Sequence, residues 1–342
     1  MSSPQHTGGT DPLSLLLAAR GRLVADGGMG TSLFELGLQA GSTPELWNVE
    51  HPDRVASVHQ GFVDAGADII LSNTFGGTRS RLDLDRLGAR VEELNLAGVG
   101  VARGVADAAG REVLVAGSVG PTGRLFEPLG DLDHDVAVDQ FREQMAALDA
   151  GGADLIWIET LSSVEELAAA VGAARSTSLP IVTTMSFDTN GRTMMGTRPS
   201  ELADWWAQQP DAPAAVGANC GIGPADVIAA AAGIHARDPD LVVVAKANCG
   251  LPQMVDGVLR HPASEEDMGV YAELALDAGA SIIGSCCGSV PAHCAQIREV
   301  VDRYEPRAFS LEEVERRLGP VSGVDAGEEA PRRRRRRREP RG

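Results

Sequence analysis

Eight short apolar runs, rich in β-branched residues, recur along the chain with helix-patterned stretches between them. This alternation limits the fold more than any other feature. The runs are Leu23–Asp26, Ala67–Thr74, Val113–Ser118, Ala153–Glu159, Pro180–Ser186, Ala214–Asn219, Leu241–Ala247 and Ala280–Gly284. Most are continuous rather than alternating, as strands covered on both faces are. Between them, stretches such as Asp53–Ala65, Val91–Ala109, Val136–Ala150, Ser163–Ala174, Pro199–Gln208, Pro224–His235 and Glu265–Asp277 carry Ala, Leu and Glu at helical period. Gly66, Gly110, Gly151–Gly152 and Gly279 close several of them just before the next strand, the usual chemistry of an αβ turn. Such a pattern makes a parallel sheet with right-handed crossovers, and eight is the number at which that sheet closes. The expected fold class is α/β, a (β/α)8 TIM barrel in a single domain with flexible termini; an open doubly wound sheet is the alternative. Residues 1–11 read as a flexible N-terminus, 12–306 as the barrel, 307–319 as a C-terminal helix and 320–342 as a disordered Arg-rich tail.

Charge and composition narrow the class of function. The net charge is −18, from 48 acidic and 30 basic residues, although eight arginines fall in the last eleven residues. Without that stretch, worth +7, the body stands near −25 and repels nucleic acid and anionic lipid. Neither is expected as a partner, and the Arg run reads as an ornament of the body. The chain holds no run near the roughly 20 apolar residues of a membrane span. Leu13–Leu17 is too short for one and lacks the basic stretch that precedes a secretory signal. Five cysteines, Cys220, Cys249, Cys286, Cys287 and Cys294, are an odd number in a chain of this size. They point to a reducing compartment rather than a disulfide framework, so a cytoplasmic location is expected.

In a barrel of this kind chemistry sits at the C-terminal ends of the strands. Those ends read Asp26-Gly27-Gly28-Met29-Gly30-Thr31, Asn73-Thr74-Phe75-Gly76-Gly77, Gly117 to Gly123, Glu159-Thr160, Asn219-Cys220-Gly221, Asn248-Cys249-Gly250 and Cys286-Cys287-Gly288. The Gly27–Gly30 cluster fits neither the dinucleotide fingerprint nor the P-loop. It is either a tight βα turn or a place where backbone approaches a small ligand. Asp26, a carboxylate directed into a barrel mouth, needs a partner or a task. Adjacent residues of a strand turn to opposite faces, so Cys286 and Cys287 can serve one metal only if the backbone bends, which Gly284 and Gly288 permit. With Cys220 they would make a three-thiolate Zn²⁺ site with a fourth position open; the alternative is three buried cysteines acting as small hydrophobes. Cys249 is a conceivable competitor as ligand, whereas Cys294 and His293 read as packing and helix-end residues. A zinc held by three thiolates is a poor activator of water but can keep a substrate thiol deprotonated and nucleophilic. Alkyl transfer to sulfur is the natural reaction.

In these motifs the chain resembles the homocysteine S-methyltransferases, which share their barrel with the homocysteine module of cobalamin-dependent methionine synthase. The resemblance is carried by DGGMGT at Asp26–Thr31, PELWNVEHPD at Pro44–Asp53, AGADIILSNTF at Ala65–Phe75, GSVGPTG at Gly117–Gly123, ET at Glu159–Thr160, GANCGIGP at Gly217–Pro224 and GSCCG at Gly284–Gly288. The motifs run in order from about residue 20 to 303. It implies Zn²⁺ on Cys220, Cys286 and Cys287. It also implies that Asp26 and Glu159 hold the amino end of homocysteine, with backbone contacts around Gly27 and Gly28. Asn219 and Asn248 shape the mouth by hydrogen bonding or serve the structure alone.

The implied reaction is direct transfer of a methyl group from a small onium donor to zinc-held homocysteine thiolate, giving methionine. No catalytic side chain is needed beyond the activated substrate thiolate. SNTFGG, TMSFDTNGRTMMGT and AKANCGLPQ look most like the bacterial group labelled betaine–homocysteine methyltransferase, so betaine is the favoured donor. A quaternary ammonium is normally caged by aromatic faces, for which Phe75, Phe126, Phe187 and Trp47 are the candidates. The animal betaine enzymes carry aromatics where this chain has Gly76, Gly77 and Thr160. S-methylmethionine is the alternative donor, and work with a separate corrinoid protein, as the barrel of a cobalamin-dependent system, is another. A zinc barrel acting on some other thiol, or a noncatalytic module recruited through the Arg run, are readings outside this class. Trp205-Trp206 marks either core or a homo-oligomer interface.

Overall fold

The computed structural model describes residues 11–39, 41–255 and 258–323. Most of the two expected flexible ends, including the Arg run, lies outside the described residues. The described residues form ten strands: β1 (Leu23–Val24), β2 (Ile69–Leu71), β3 (Leu114–Val119), β4 (Leu155–Leu161), β5 (Ile181–Met185), β6 (Ala215–Cys220), β7 (Val243–Ala247), β8 (Gln253–Val255), β9 (Val258–Arg260) and β10 (Ala280–Ser285). Eight of them form one parallel sheet in the order β1-β10-β7-β6-β5-β4-β3-β2. A parallel bridge between Ala25 and Ile69 joins its two ends, where the Asp26 amide donates to the Ile69 carbonyl at 3.0 Å. The sheet is therefore a (β/α)8 barrel, and the expected single-domain TIM barrel is what the chain forms. The eight expected runs each hold one barrel strand. The antiparallel β8–β9 hairpin, inserted after β7, was not expected from the sequence.

Two apolar layers result. Helices such as Pro52–Asp64, Val91–Ala108, His134–Ala150 and Glu265–Asp277 bury one face each against the outside of the barrel, and Trp206 joins this layer. Its indole donates to Thr183 Oγ1 at 2.9 Å, which favours core over interface for that residue. Inside the barrel a separate cluster gathers Leu23, Ala25, Ile69, Leu71, Leu114, Ala116, Leu155, Trp157, Val182, Ala215, Val244 and Ile282. Leu13 and Leu16 of the helix Pro12–Arg20 belong to it. That helix therefore plugs the N-terminal end of the barrel, capped by Asp11, whose side chain accepts from the Ser14 amide at 3.0 Å.

Strand side chains alternate with a period of two, so each inward row can be followed upward. On β4 the row Leu155–Trp157 continues to Glu159; on β3 Leu114–Ala116 continues to Ser118; on β6 Ala215–Gly217 continues to Asn219; on β7 Val244 continues to Lys246. The inward face thus turns from apolar to polar near the C-terminal end, where the floor of a site is laid. Beyond the barrel, a helix spans Leu311–Leu318. Chain after it lies against the body, with Val321 buried and the Ser322 amide donating to Asp226 Oδ1 at 2.8 Å.

Candidate active site

A cavity of about 580 Å³ opens at the C-terminal end of the barrel, and Gly27, Gly28, Ser118, Glu159, Cys220, Lys246, Cys286 and Cys287 are among its lining residues. Six of the seven site residues expected from the sequence therefore line one space, and the seventh, Asp26, is buried behind it with Oδ1 3.3 Å from Nζ of the lining residue Lys246. The thiols of Cys220, Cys286 and Cys287 lie within 4.8 Å of one another, the one group of three or more metal-ligating side chains among the described residues. A tetrahedral zinc with Zn–S bonds of about 2.3 Å spaces its sulfurs about 3.8 Å apart, within the bound that the triad keeps.

The backbone bends needed to bring the thiols together are present. Cys220 itself takes a left-handed conformation with φ 62°, followed by Gly221 at φ 70°. Such a φ is strained in a non-glycine residue and recurs at functional sites. β10 ends at Ser285, and the chain then turns: the Cys286 carbonyl accepts from the Ser289 amide at 3.2 Å and the Ser289 hydroxyl at 2.7 Å. Gly288, at φ 80°, makes this turn. Gly284 does not; it stays within β10, where a Cβ would meet Lys246 Cγ and Ala25 Cβ at 3.0 Å.

Asn248 ties the two cysteine loops together. Its side chain donates to the Gly221 carbonyl at 2.8 Å and accepts from the Cys287 amide at 3.0 Å. Cys249 packs in the core and uses its amide on the Cys287 carbonyl at 3.0 Å; it is outside the triad. So is Cys294, buried in the helix Pro291–Arg303. His293 accepts from the Val290 amide through Nδ1 at 3.0 Å, a helix-end role.

Without a cation the thiols are held protonated. At Cys220 the contact with Cys286 favours the thiolate, but the contact with Cys287, burial and the charge of Cys287 outweigh it and push the thiol up to about 12. A set of close, half-buried, high-pKa thiols is the donor chemistry that a soft divalent cation stabilises as thiolates.

Beside the triad stand two buried carboxylates. Asp26 is 1% exposed. Its Oδ2 accepts from the Leu71 amide at 2.8 Å, and its Oδ1 lies 3.3 Å from Lys246 Nζ. Burial pushes its carboxyl up to about 6, against the opposing pull of Lys246. Glu159 accepts from the Ser118 hydroxyl at 2.6 Å and faces Asn219 Nδ2 at 3.5 Å. Burial raises its pKa as well, and Lys246 again opposes. Asn219 also holds Thr160, accepting from its amide at 2.8 Å and donating to its hydroxyl at 2.7 Å; Thr160 sits at φ 62°.

The Gly27–Gly28 segment passes against the cysteine turn. A Cβ on Gly28 would stand 2.8 Å from the Cys286 carbonyl oxygen, and the Gly28 amide donates to Ser289 Oγ at 2.9 Å. Close approach of backbone to backbone requires glycine here. Of the four proposed cage aromatics, only Phe75 lines the cavity. Phe187 is buried in the outer layer, Phe126 packs against that layer, and Trp47 packs edge-on to His51. Gly76 lies under Glu45, whose Oε1 accepts from its amide at 2.5 Å and would sit 2.9 Å from a Cβ there. A side chain at that place would have to displace the Glu45 carboxylate. Lys246 was missed from the sequence; its signal was the period of two that follows from Val244 along β7.

The homocysteine S-methyltransferase family profile matches residues 23–301. The chain belongs to that family. The methionine synthase of Mycobacterium tuberculosis is 30% identical over 338 residues, covering 91% of this chain and 28% of that protein. Its Mycobacterium leprae counterpart is also 30% identical, with 90% and 27% covered, so the chain spans little more than a quarter of these relatives. The metallated homocysteine methyltransferase MmuM from Escherichia coli superposes with a TM-score of 0.71 at 25% identity, covering 84% of this chain and 99% of that one. A methyltransferase from Methanosarcina mazei, with a TM-score of 0.54 at 14% identity, shares the fold. The residues matched by the family profile take in all eight barrel strands, from β1 to β10. No helix among the described residues is long and apolar enough to cross a membrane.

Proposed function

We propose that this protein is a zinc-dependent homocysteine S-methyltransferase that takes its methyl group directly from a small onium donor. The observation that carries the reading is the convergence of Cys220, Cys286 and Cys287 in the same cavity as Glu159, with the buried Asp26 next to its lining residue Lys246. A zinc ion, when bound there, supplies a cation that keeps a substrate thiol ionised at neutral pH. The remaining work belongs to the chain. Asp26 and Glu159 offer carboxylate oxygens to the substrate ammonium, and the glycines at 27 and 28 allow the amino acid to lie close to the backbone. The homocysteine sulfur then attacks the donor methyl carbon in line. A sulfur–carbon bond forms as the methyl–heteroatom bond breaks, and the leaving group keeps that electron pair. No side chain need move a proton in this step; positioning and exclusion of water lower the barrel's barrier to reaction.

Betaine is the donor the sequence favours. A sulfonium amino acid such as S-methylmethionine is a second reading supported by the lining, which includes Arg81 and the carboxylates Glu45 and Asp85 but, among aromatics of the described residues, only Phe34 and Phe75. Methionine formation is to be measured with zinc-loaded protein and homocysteine, offering betaine, a dimethylsulfonio compound and S-methylmethionine separately, without cobalamin. Turnover with one donor is expected. Silence with all three, while zinc and homocysteine still bind, would replace direct transfer by delivery from a separate corrinoid protein. Cytoplasmic location and any homo-oligomer belong to the same proposal and rest on the sequence.

A further inference from the structure

Among the 30 Lys and Arg residues one alone is lysine, Lys246. Every other basic position is arginine, and this one is 2% exposed, in the inward row of β7 on the floor of the cavity. Arginine is a planar fork, whereas lysine is a compact point charge on a flexible stem. The surroundings call for the second. Lys246 Cγ would be 3.0 Å from a Cβ on Gly284, so the stem passes through the space that the glycine leaves. Its Nζ lies 3.3 Å from Asp26 Oδ1, an oxygen with no hydrogen-bond partner among the described residues.

Burial disfavours the charged form of Lys246, but the neighbouring carboxylates Asp26 and Glu159 oppose burial and keep it an ammonium ion. In return it opposes the upward push that burial gives Asp26 and Glu159. Remove it, and proton uptake by both carboxyls is favoured. A protonated carboxyl presents an O–H where a ligand ammonium needs an acceptor.

We propose that Lys246 is the positioning residue of the amino-acid subsite, its ammonium 3.3 Å from Asp26 Oδ1 fixing that carboxylate to act with Glu159 in receiving the homocysteine ammonium. The inference deepens the proposed function and rests on the cavity being the homocysteine site. It makes Lys246 a determinant of selectivity for substrates with a free α-amino group, though it donates nothing to the reacting sulfur.

The test compares the zinc-loaded full chain with Lys246→Met and Lys246→Arg, following L-homocysteine binding by calorimetry. Wild type is expected to bind. Lys246→Met is expected to keep its zinc and fold yet bind about tenfold more weakly or worse, with KM for homocysteine rising more than kcat falls and with no rescue in Lys246→Arg. A folded, zinc-loaded Met variant with wild-type affinity would overturn the proposal. Failure of the wild type itself to bind would instead overturn the assignment of the cavity. Should the variants not fold, the single lysine provides a direct readout in wild type. With ε-¹⁵N-lysine, its one ammonium resonance is expected to shift on adding L-homocysteine but not N-acetyl-homocysteine. A resonance unmoved by bound L-homocysteine would overturn the proposal equally.

Discussion

Asn248 holds both halves of the cysteine triad at once, bonding the Gly221 carbonyl on one side and the Cys287 amide on the other. Partners that orient metal ligands without touching the metal are commonly worth 10–100-fold in affinity. Asn248→Ala should therefore weaken zinc binding by about that factor, read by competition with a chromophoric chelator, with little change in melting temperature. Unchanged affinity would show that the strands alone set the triad. At this scale the sequence is informative where residue type is rare and strand ends are evident. Cysteines at the ends of β6 and β10 stand out, and so does a carboxylate after β1. Lys246 does not, because it lies inside the apolar run Leu241–Ala247. Its meaning depends on which side of β7 faces inward. The double role of Asn248 was equally hidden, since it depends on two loops from β6 and β10 meeting across β7. The cage aromatics misled for a related reason: proximity to a strand end does not say which way a ring turns.

The elements were largely legible because parallel strands covered on both faces leave continuous apolar runs, and the helices between them keep one apolar stripe. What escaped was the helix Pro12–Arg20, whose Leu13–Leu17 stretch is short. Its amphipathic face acquires meaning only once there is a barrel end for Leu13 and Leu16 to close. The hairpin β8–β9 escaped because it packs outside the alternating frame. The plug is pinned by a buried ionic knot: Asp68, 1% exposed, pairs with Arg20 and with Arg298 at 2.9 Å, and accepts from the Val24 amide at 2.8 Å. Removing one partner of a buried ion pair typically costs about 3–5 kcal/mol. Here the arginines are partly exposed and can turn to water, so Asp68→Asn is expected to cost about 2–3 kcal/mol. Denaturant unfolding checks this, and a loss within about 0.5 kcal/mol, the range of ordinary surface changes, would show that apolar packing alone seats the plug.

For the molecule as a whole, closure of the barrel is what creates the site. Asp26 follows β1, Glu159 lies in β4, Cys220 ends β6, Lys246 lies in β7 and the Cys286–Cys287 pair follows β10; the Ala25–Ile69 bridge completes the ring that brings these ends around one cavity. An open sheet would spread the same residues along an edge. The proposed function calls for one arrangement at the cysteine triad, three protein thiolates with a position left for substrate sulfur. X-ray absorption at the zinc edge reads that arrangement directly. Zinc-loaded protein should show three sulfur neighbours and one lighter atom, changing to four sulfurs at about 2.3 Å when L-homocysteine is added. A sulfur count below three in the free protein, or one that stays at three with homocysteine bound, would contradict the account.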